Sequence, residues 1–152
     1  MNKVLFRAEE VPMPSWTKKA EAYIQKVLET IGHKDWEVSV LLCGNRYIKT
    51  LNASYRDKDE PTDVLSFNLG ETDANTGRYL AGDIVLSLDA LEENARFFDV
   101  TVDEEMRRLF VHGILHLSGE DHATNRPEEP MLKRQEEIIA RLAGECIQEN
   151  GT

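Results

Sequence analysis

Cysteine, long apolar runs, internal repeats and positive charge are all scarce in this 152-residue chain. The two cysteines, Cys43 and Cys146, lie far apart without CxxC spacing, which excludes a disulfide framework and suits a reducing, cytoplasmic setting. No apolar run is long enough to span a bilayer, and the first ten residues hold no signal-peptide core. No repeat, low-complexity block or Pro/Ser-rich linker divides the chain, so residues 1–152 are expected to form one domain. With 41% hydrophobic and 30% charged residues, the composition is neither that of a disordered tract nor that of a membrane protein. Basic residues number 18 against 28 acidic ones, a formal net charge of −10. Taken alone, that balance argues against a nucleic-acid partner, because affinity for a phosphate backbone comes largely from Lys and Arg displacing counterions.

The charge is unevenly spread. Residues 1–58 carry 10 basic and 7 acidic side chains, a net of +3, whereas residues 59–152 carry 8 and 21, a net of −13. Such asymmetry marks either a polar binding surface or simply more solvated helix faces in the acidic half.

Apolar periodicity predicts the element order. A short strand is expected over residues 3–6. From Ser15, a candidate N-cap, Trp16, Ala20, Tyr23, Ile24, Val27, Leu28 and Ile31 recur at helical spacing up to Gly32. Trp36 to Cys43 reads as a strand, and Asn45 is positioned to cap a short helix through Tyr55. Arg56 to Asp63 is polar and contains Pro61, hence a loop. Strands follow at Val64–Leu69 and Tyr79–Leu88, and Ser87 or Asp89 can open a helix to about Phe98. Thr101 and Glu104 form a capping-box pattern opening a helix through His112 and His116 to Gly119. From Pro127, Met131, Ile138, Ile139, Leu142 and Cys146 mark one side of a last helix. The expected fold is α+β: one domain with a small mixed sheet of about four strands covered by about five helices.

Three of the four histidines fall in His112-Gly-Ile-Leu-His116-Leu-Ser-Gly119-Glu-Asp-His122. His112 and His116, four apart on a helix, project from one face and can reach one metal ion at about 2.0–2.1 Å. Gly119 can adopt the left-handed conformation that ends a helix, so that His122 returns as a third nitrogen ligand. A structural zinc usually fills four positions with Cys and His, and neither cysteine is near in sequence, so a catalytic metal is favoured. The spacing matches the zinc-binding spacing of metzincin peptidases, but the Glu that serves there as general base is replaced by Gly113. That argues against peptide hydrolysis by that route. Asp121 is either an orienting partner for the site or a loop cap.

The segment HGILHLSGEDH (His112–His122) resembles the HGxLHLxGxDH signature of the YbeY family of bacterial metal-dependent endoribonucleases and ribosomal RNA maturation factors. NASYRDKDEPTDVLSF (Asn52–Phe67) is similar to that family's N-x-x-Y-R...PTDVLSF segment, and Gly82-Asp83-Ile84 to its GDI motif. The resemblance implies one zinc held by His112, His116 and His122, hydrolysis of single-stranded RNA, and work in small-subunit ribosomal RNA maturation and ribosome quality control. It also implies a functional role for Arg56, on the YR motif. Glu120 departs from the pattern, since family members often carry an aromatic residue there.

These readings predict a zinc-dependent single-strand endoribonuclease in the cytoplasm that uses a metal-activated water, with the small ribosomal subunit as partner. Arg56 would be the catalytic residue, binding phosphate or stabilising the transition state. The competing assignment for Arg56 is an ion pair with Asp57, Asp59 or Asp63. Thr62, Asp63 and Ser66 read as turn or strand-start residues, and Asp83 as a buried polar or supporting residue. The rivals are a small metallopeptidase and a non-catalytic ribosome-assembly factor whose histidines only support structure. Arg46, Lys49, Arg56 and Lys58 are expected to form the side from which RNA approaches the histidines, with strong salt dependence.

Overall fold

The structure is a computed structural model; it describes residues 1–56 and 63–148, with the Arg56 side chain excluded. The elements run β1 (Lys3–Ala8), α1 (Thr17–Ile31), β2 (Trp36–Cys43), α2 (Asn45–Arg56), β3 (Val64–Thr72), β4 (Tyr79–Ser87), α3 (Leu88–Phe98), α4 (Val102–Leu117) and α5 (Pro130–Arg141). The four strands form one mixed sheet in the order β1-β2-β4-β3. The first three are parallel, and β3 runs antiparallel to β4 at the edge.

Residue alternation divides the molecule into two layers around that sheet. On one face Val38, Val40, Leu42, Ile84 and Leu86 pack with Tyr23, Ile24 and Leu28 of α1, Phe110 and Ile114 of α4, and Met131 of α5. On the other, Leu41, Cys43, Leu65 and Val85 meet Ile48 of α2. Strands covered on both faces bury both sets of alternating side chains, which is why β2 ends in a continuous apolar run rather than an alternating one. Helix α4 lies centrally, touching α1, α3, α5, β3 and β4.

The capping residues set several boundaries. Thr101 Oγ1 accepts the Glu104 amide at 3.0 Å, and Ser87 Oγ accepts the Ala90 amide at 3.2 Å, as their positions before helical runs predict. The Ser15 expectation fails: Trp16 occupies the cap position of α1 without a side-chain hydrogen bond. Asn45 does not cap α2 either, but ties it to α3, its amide donating to Asp89 Oδ2 and its Oδ1 accepting the Ser87 hydroxyl. β3 runs three residues beyond the expected Leu69, and α5 starts at Pro130, not Pro127. A proline at the first helical position has no amide to leave unpaired. α5 ends before Cys146, which is exposed rather than part of its apolar side.

Where β3 and β4 lose register between Asn68 and Glu71, Gly82 adopts φ +140°, and a Cβ there would fall 2.0 Å from the Phe67 carbonyl oxygen. Only glycine lets the two backbones approach so closely. No described helix is long and apolar enough to cross a membrane.

Candidate metal centre

The three histidines converge as their spacing predicts. One ring nitrogen from each of His112, His116 and His122 lies within 4.8 Å of the others, and the ring centroids stand 4.6, 5.2 and 5.6 Å apart. Helix α4 places the first two one turn apart. Its end then brings the third round: Gly119 takes φ +92°, its amide donates to the His116 carbonyl at 3.0 Å, and the Glu120 amide donates to the Leu115 carbonyl at 3.0 Å. These two bonds form a Schellman motif, which satisfies the orphan carbonyls of the last turn and reverses the chain.

Each ring is fixed through its Nδ1. His112 Nδ1 donates to Gln135 Oε1 at 2.7 Å, His116 Nδ1 to the Glu120 carbonyl at 3.1 Å, and His122 Nδ1 to the Thr124 carbonyl at 2.8 Å. The Gln135 amide is itself oriented, because its Nε2 donates to Glu136 Oε2 at 3.0 Å and so leaves Oε1 for the imidazole. With acceptors on all three Nδ1 atoms, each neutral ring carries its proton there and presents an Nε2 lone pair. The Nε2 atoms of His112 and His116 face one another at 3.0 Å. Two lone pairs so close repel unless a cation or proton lies between them, so the donor set fits a metal ion. Outer hydrogen bonds of this kind set the tautomer and direction of metal-binding imidazoles.

Burial lowers the pKa of His112, against the opposing Gln135 hydrogen bond, and lowers that of His116 with help from the neighbouring His112 charge. Both rings therefore stay neutral, and able to coordinate, below the ordinary imidazole range.

A polar chain that sequence reasoning missed supports His112. Arg108 grips Glu136 through Nε and Nη2, both at 3.0 Å, and also pairs with Glu104 at 3.2 Å and Glu105 at 3.6 Å. Asn94 donates to Glu105 at 3.4 Å and to Asp63 Oδ2 at 3.0 Å. The Arg108 hydrogen bond holds the Glu136 carboxyl below its usual range, whereas burial raises that of Glu105. Only the packing of α5 and α3 on α4 brings these residues together.

The other candidates separate. Asp121 accepts the amide of its neighbour His122 at 2.8 Å and is 86% exposed, and from 4.0 Å off His116 Nδ1 its charge acts on both His112 and His116. Asp63 opens β3, accepting the Val64 amide and the Asn94 side chain, and its charge reaches His112. Ser66 donates to the Gly113 carbonyl at 3.5 Å. Glu120 pairs with Arg134; what His116 uses is the Glu120 backbone carbonyl, so the side chain at that position is free to vary. Asp83 is exposed on the face opposite α4, contrary to the expectation of a buried polar group. Arg46 and Lys49 lie on α2, across the sheet from α4, and so do not flank the histidines as expected. The Arg56 side chain, Asp57, Lys58, Asp59 and Thr62 lie outside the described residues.

Gly113 faces the sheet. A Cβ there would stand 3.0 to 3.2 Å from three carbons of the Ile84 side chain. A Glu base in the metzincin position would therefore point into the core between α4 and β4.

A four-stranded mixed sheet carrying a helix–turn histidine triad defines a small α+β protein with a metal-type centre. The chain belongs to the YbeY family: the family model described as Endoribonuclease YbeY matches residues 4–143. An Endoribonuclease YbeY of Treponema denticola is 50% identical over 124 residues, covering 80% of each chain. That of Treponema pallidum is 43% identical over 144 residues, covering 93% of this chain and 90% of its own. A Thermotoga maritima protein solved in solution shares the fold with a TM-score of 0.56 at 29% identity, covering 100% of this chain and 99% of its own.

Proposed function

We propose that this chain is a metal-dependent endoribonuclease specific for single-stranded RNA, acting in the cytoplasm on the 3′ end of small-subunit ribosomal RNA and in ribosome quality control. The observation that carries the reading is the set of three imidazoles whose Nδ1 atoms are all tied to acceptors, with one ring nitrogen of each within 4.8 Å of the others. Family membership supplies the substrate class. His112, His116 and His122 would hold the ion, and zinc suits a three-imidazole set. When bound, such an ion lowers the pKa of water and polarises a phosphoryl oxygen.

The protein's own part is positioning. Gln135 and the Glu120 and Thr124 carbonyls keep the rings aimed, and partial burial favours the neutral form of His112 and His116. Arg56 ends α2 just before the segment leading to Asp63, whose charge reaches His112. A guanidinium is a planar, permanently charged fork suited to hold a phosphate or the charge developing on it, and that is the role assigned to Arg56. The packing of Gly113 on Ile84 weighs against the peptidase alternative.

The test compares extensively purified wild type, His116→Ala and Arg56→Ala on matched single- and double-stranded RNA, with metal content measured on the same samples. Wild type should cleave only the single strand and contain one zinc per chain. His116→Ala should lose both metal and activity, and Arg56→Ala activity alone. Equal cleavage by all three would mark a contaminant and leave the assembly-factor alternative standing.

A further inference from the structure

On the face of the sheet away from the histidines, α2 covers only part of the strands and leaves a cavity of about 370 Å³ over β1, β2 and β4. That lies at the small end of the range for ligand pockets and suits one nucleoside. Its walls combine aromatic planes with two opposite charges. Tyr47 and Tyr55 of α2 and Phe67 of β3 supply the aromatic planes, Tyr55 and Phe67 meeting edge to face with centroids 5.5 Å apart. Arg7 of β1 and Asp83 of β4, the cross-strand partner of Phe67, supply the charges. Both are exposed, and among the described residues neither has an ion-pair or side-chain hydrogen-bond partner. In a chain of net charge −10, α2 carries Arg46 and Lys49 and not one acidic residue.

From this arrangement we propose that the cavity is a guanine-binding subsite for single-stranded RNA. The inference rests on the endoribonuclease reading above and adds a recognition site on the reverse face. A base stacks on aromatic planes whatever its identity, so the identity must come from Asp83. Its carboxylate is an acceptor with two oxygens. Guanine alone among the four bases presents adjacent imino and amino donors on its Watson–Crick edge, the edge that proteins read in unpaired RNA. Arg7 and the basic helix α2 then serve the sugar-phosphate backbone.

The two faces are also joined in a way that one strand of RNA could follow. β3 is the sheet edge. Its Phe67 lines the cavity, while its neighbours Ser66 and Asn68 bond the Gly113 and His116 carbonyls of the histidine helix. A strand passing over this edge goes directly from the cavity to the metal centre.

The test titrates isotope-labelled protein with GMP and with AMP, followed by amide NMR, and measures cleavage of two single-stranded oligonucleotides differing only by G or A upstream of the cut. GMP should shift the amides of Ser39, Phe67 and Asp83, with AMP binding about tenfold more weakly, the scale of one bidentate base contact. Asp83→Asn should bring GMP to the AMP level and reduce the G-over-A ratio in kcat/KM. Tyr55→Ala, an exposed position, should weaken both nucleotides by about fivefold or more. Equal binding of GMP and AMP to wild type, or no shift in the cavity, overturns the proposal. So does GMP binding with no G preference in cleavage, which would mark a site for free nucleotide. If wild type cleaves neither oligonucleotide, the endoribonuclease reading fails separately, and the titration still decides what the cavity binds.

Discussion

Gln135 shows how much of a candidate metal centre lies one residue beyond its three histidines. Its Oε1 accepts from His112 at 2.7 Å, and its Nε2 is held by Glu136, which Arg108 grips through two nitrogens. Gln135→Leu removes the acceptor while roughly conserving volume, so the imidazole loses both its tautomer preference and its direction. Metal affinity should fall about 10- to 100-fold, the usual cost of losing such a partner. Competition with a chelator measures it, and an unchanged affinity would reduce Gln135 to a packing residue. Nothing in the sequence singles out Gln135, a glutamine 23 residues from His112 on a different helix. The histidines themselves are legible because their relation is local: one helical turn and one glycine determine where three rings go. Asp83 is the opposite case. Its motif is visible, but which face of the sheet it occupies depends on the strand register, and the Gly82 bulge changes that register.

At the scale of elements, α4 bears the site, and α1, α3, α5, β3 and β4 pack on it. The Thr101 hydroxyl accepts the Glu104 amide, and Asp103, Glu104 and Glu105 stand in the first turn, where negative charge favours the helix dipole. Thr101→Ala should cost about 1 kcal/mol, the typical value for a lost cap, read from the urea midpoint at constant m-value. Because the histidines lie at the other end of α4, the metal affinity of that variant should match wild type. A loss of affinity would instead show that fraying reaches the site. Strand and helix order were legible from periodicity, and the caps at Ser87 and Thr101 from residue type. Ser15 and Asn45 were not, because a side chain competent to cap is used only where tertiary contacts leave the backbone aligned for it, and Asn45 is drawn to Asp89 and Ser87 instead.

For the whole molecule, two buried weak acids set the alkaline limit. Burial pushes the Cys43 thiol from 9.0 to about 12 and the Tyr23 hydroxyl from 10.0 to about 12, the nearby Arg107 opposing the latter. In that interval the native protein keeps protons that the unfolded chain has released, so their contribution to stability is complete below about pH 9 and lost as pH rises toward 12. Urea midpoints should therefore fall from pH 9 to 11, and Tyr23→Phe should reduce the slope above pH 10. A wild-type midpoint unchanged over that range would contradict the assignment.

Charge is organised on the same scale. The excess of acidic residues after position 58 gives most of the surface a sign that repels RNA, while α2 sets Arg46 and Lys49 on the face opposite the histidines. Residue types and short spacings were enough to determine the α+β class, the helix–turn triad and the absence of a peptidase base, because those follow from local geometry. The sheet order, the polar chain behind His112, the burial of Gly113 against Ile84 and the aromatic cavity under α2 were decided only by tertiary structure. Each depends on which faces of separate elements meet, and that is settled by packing across the whole core.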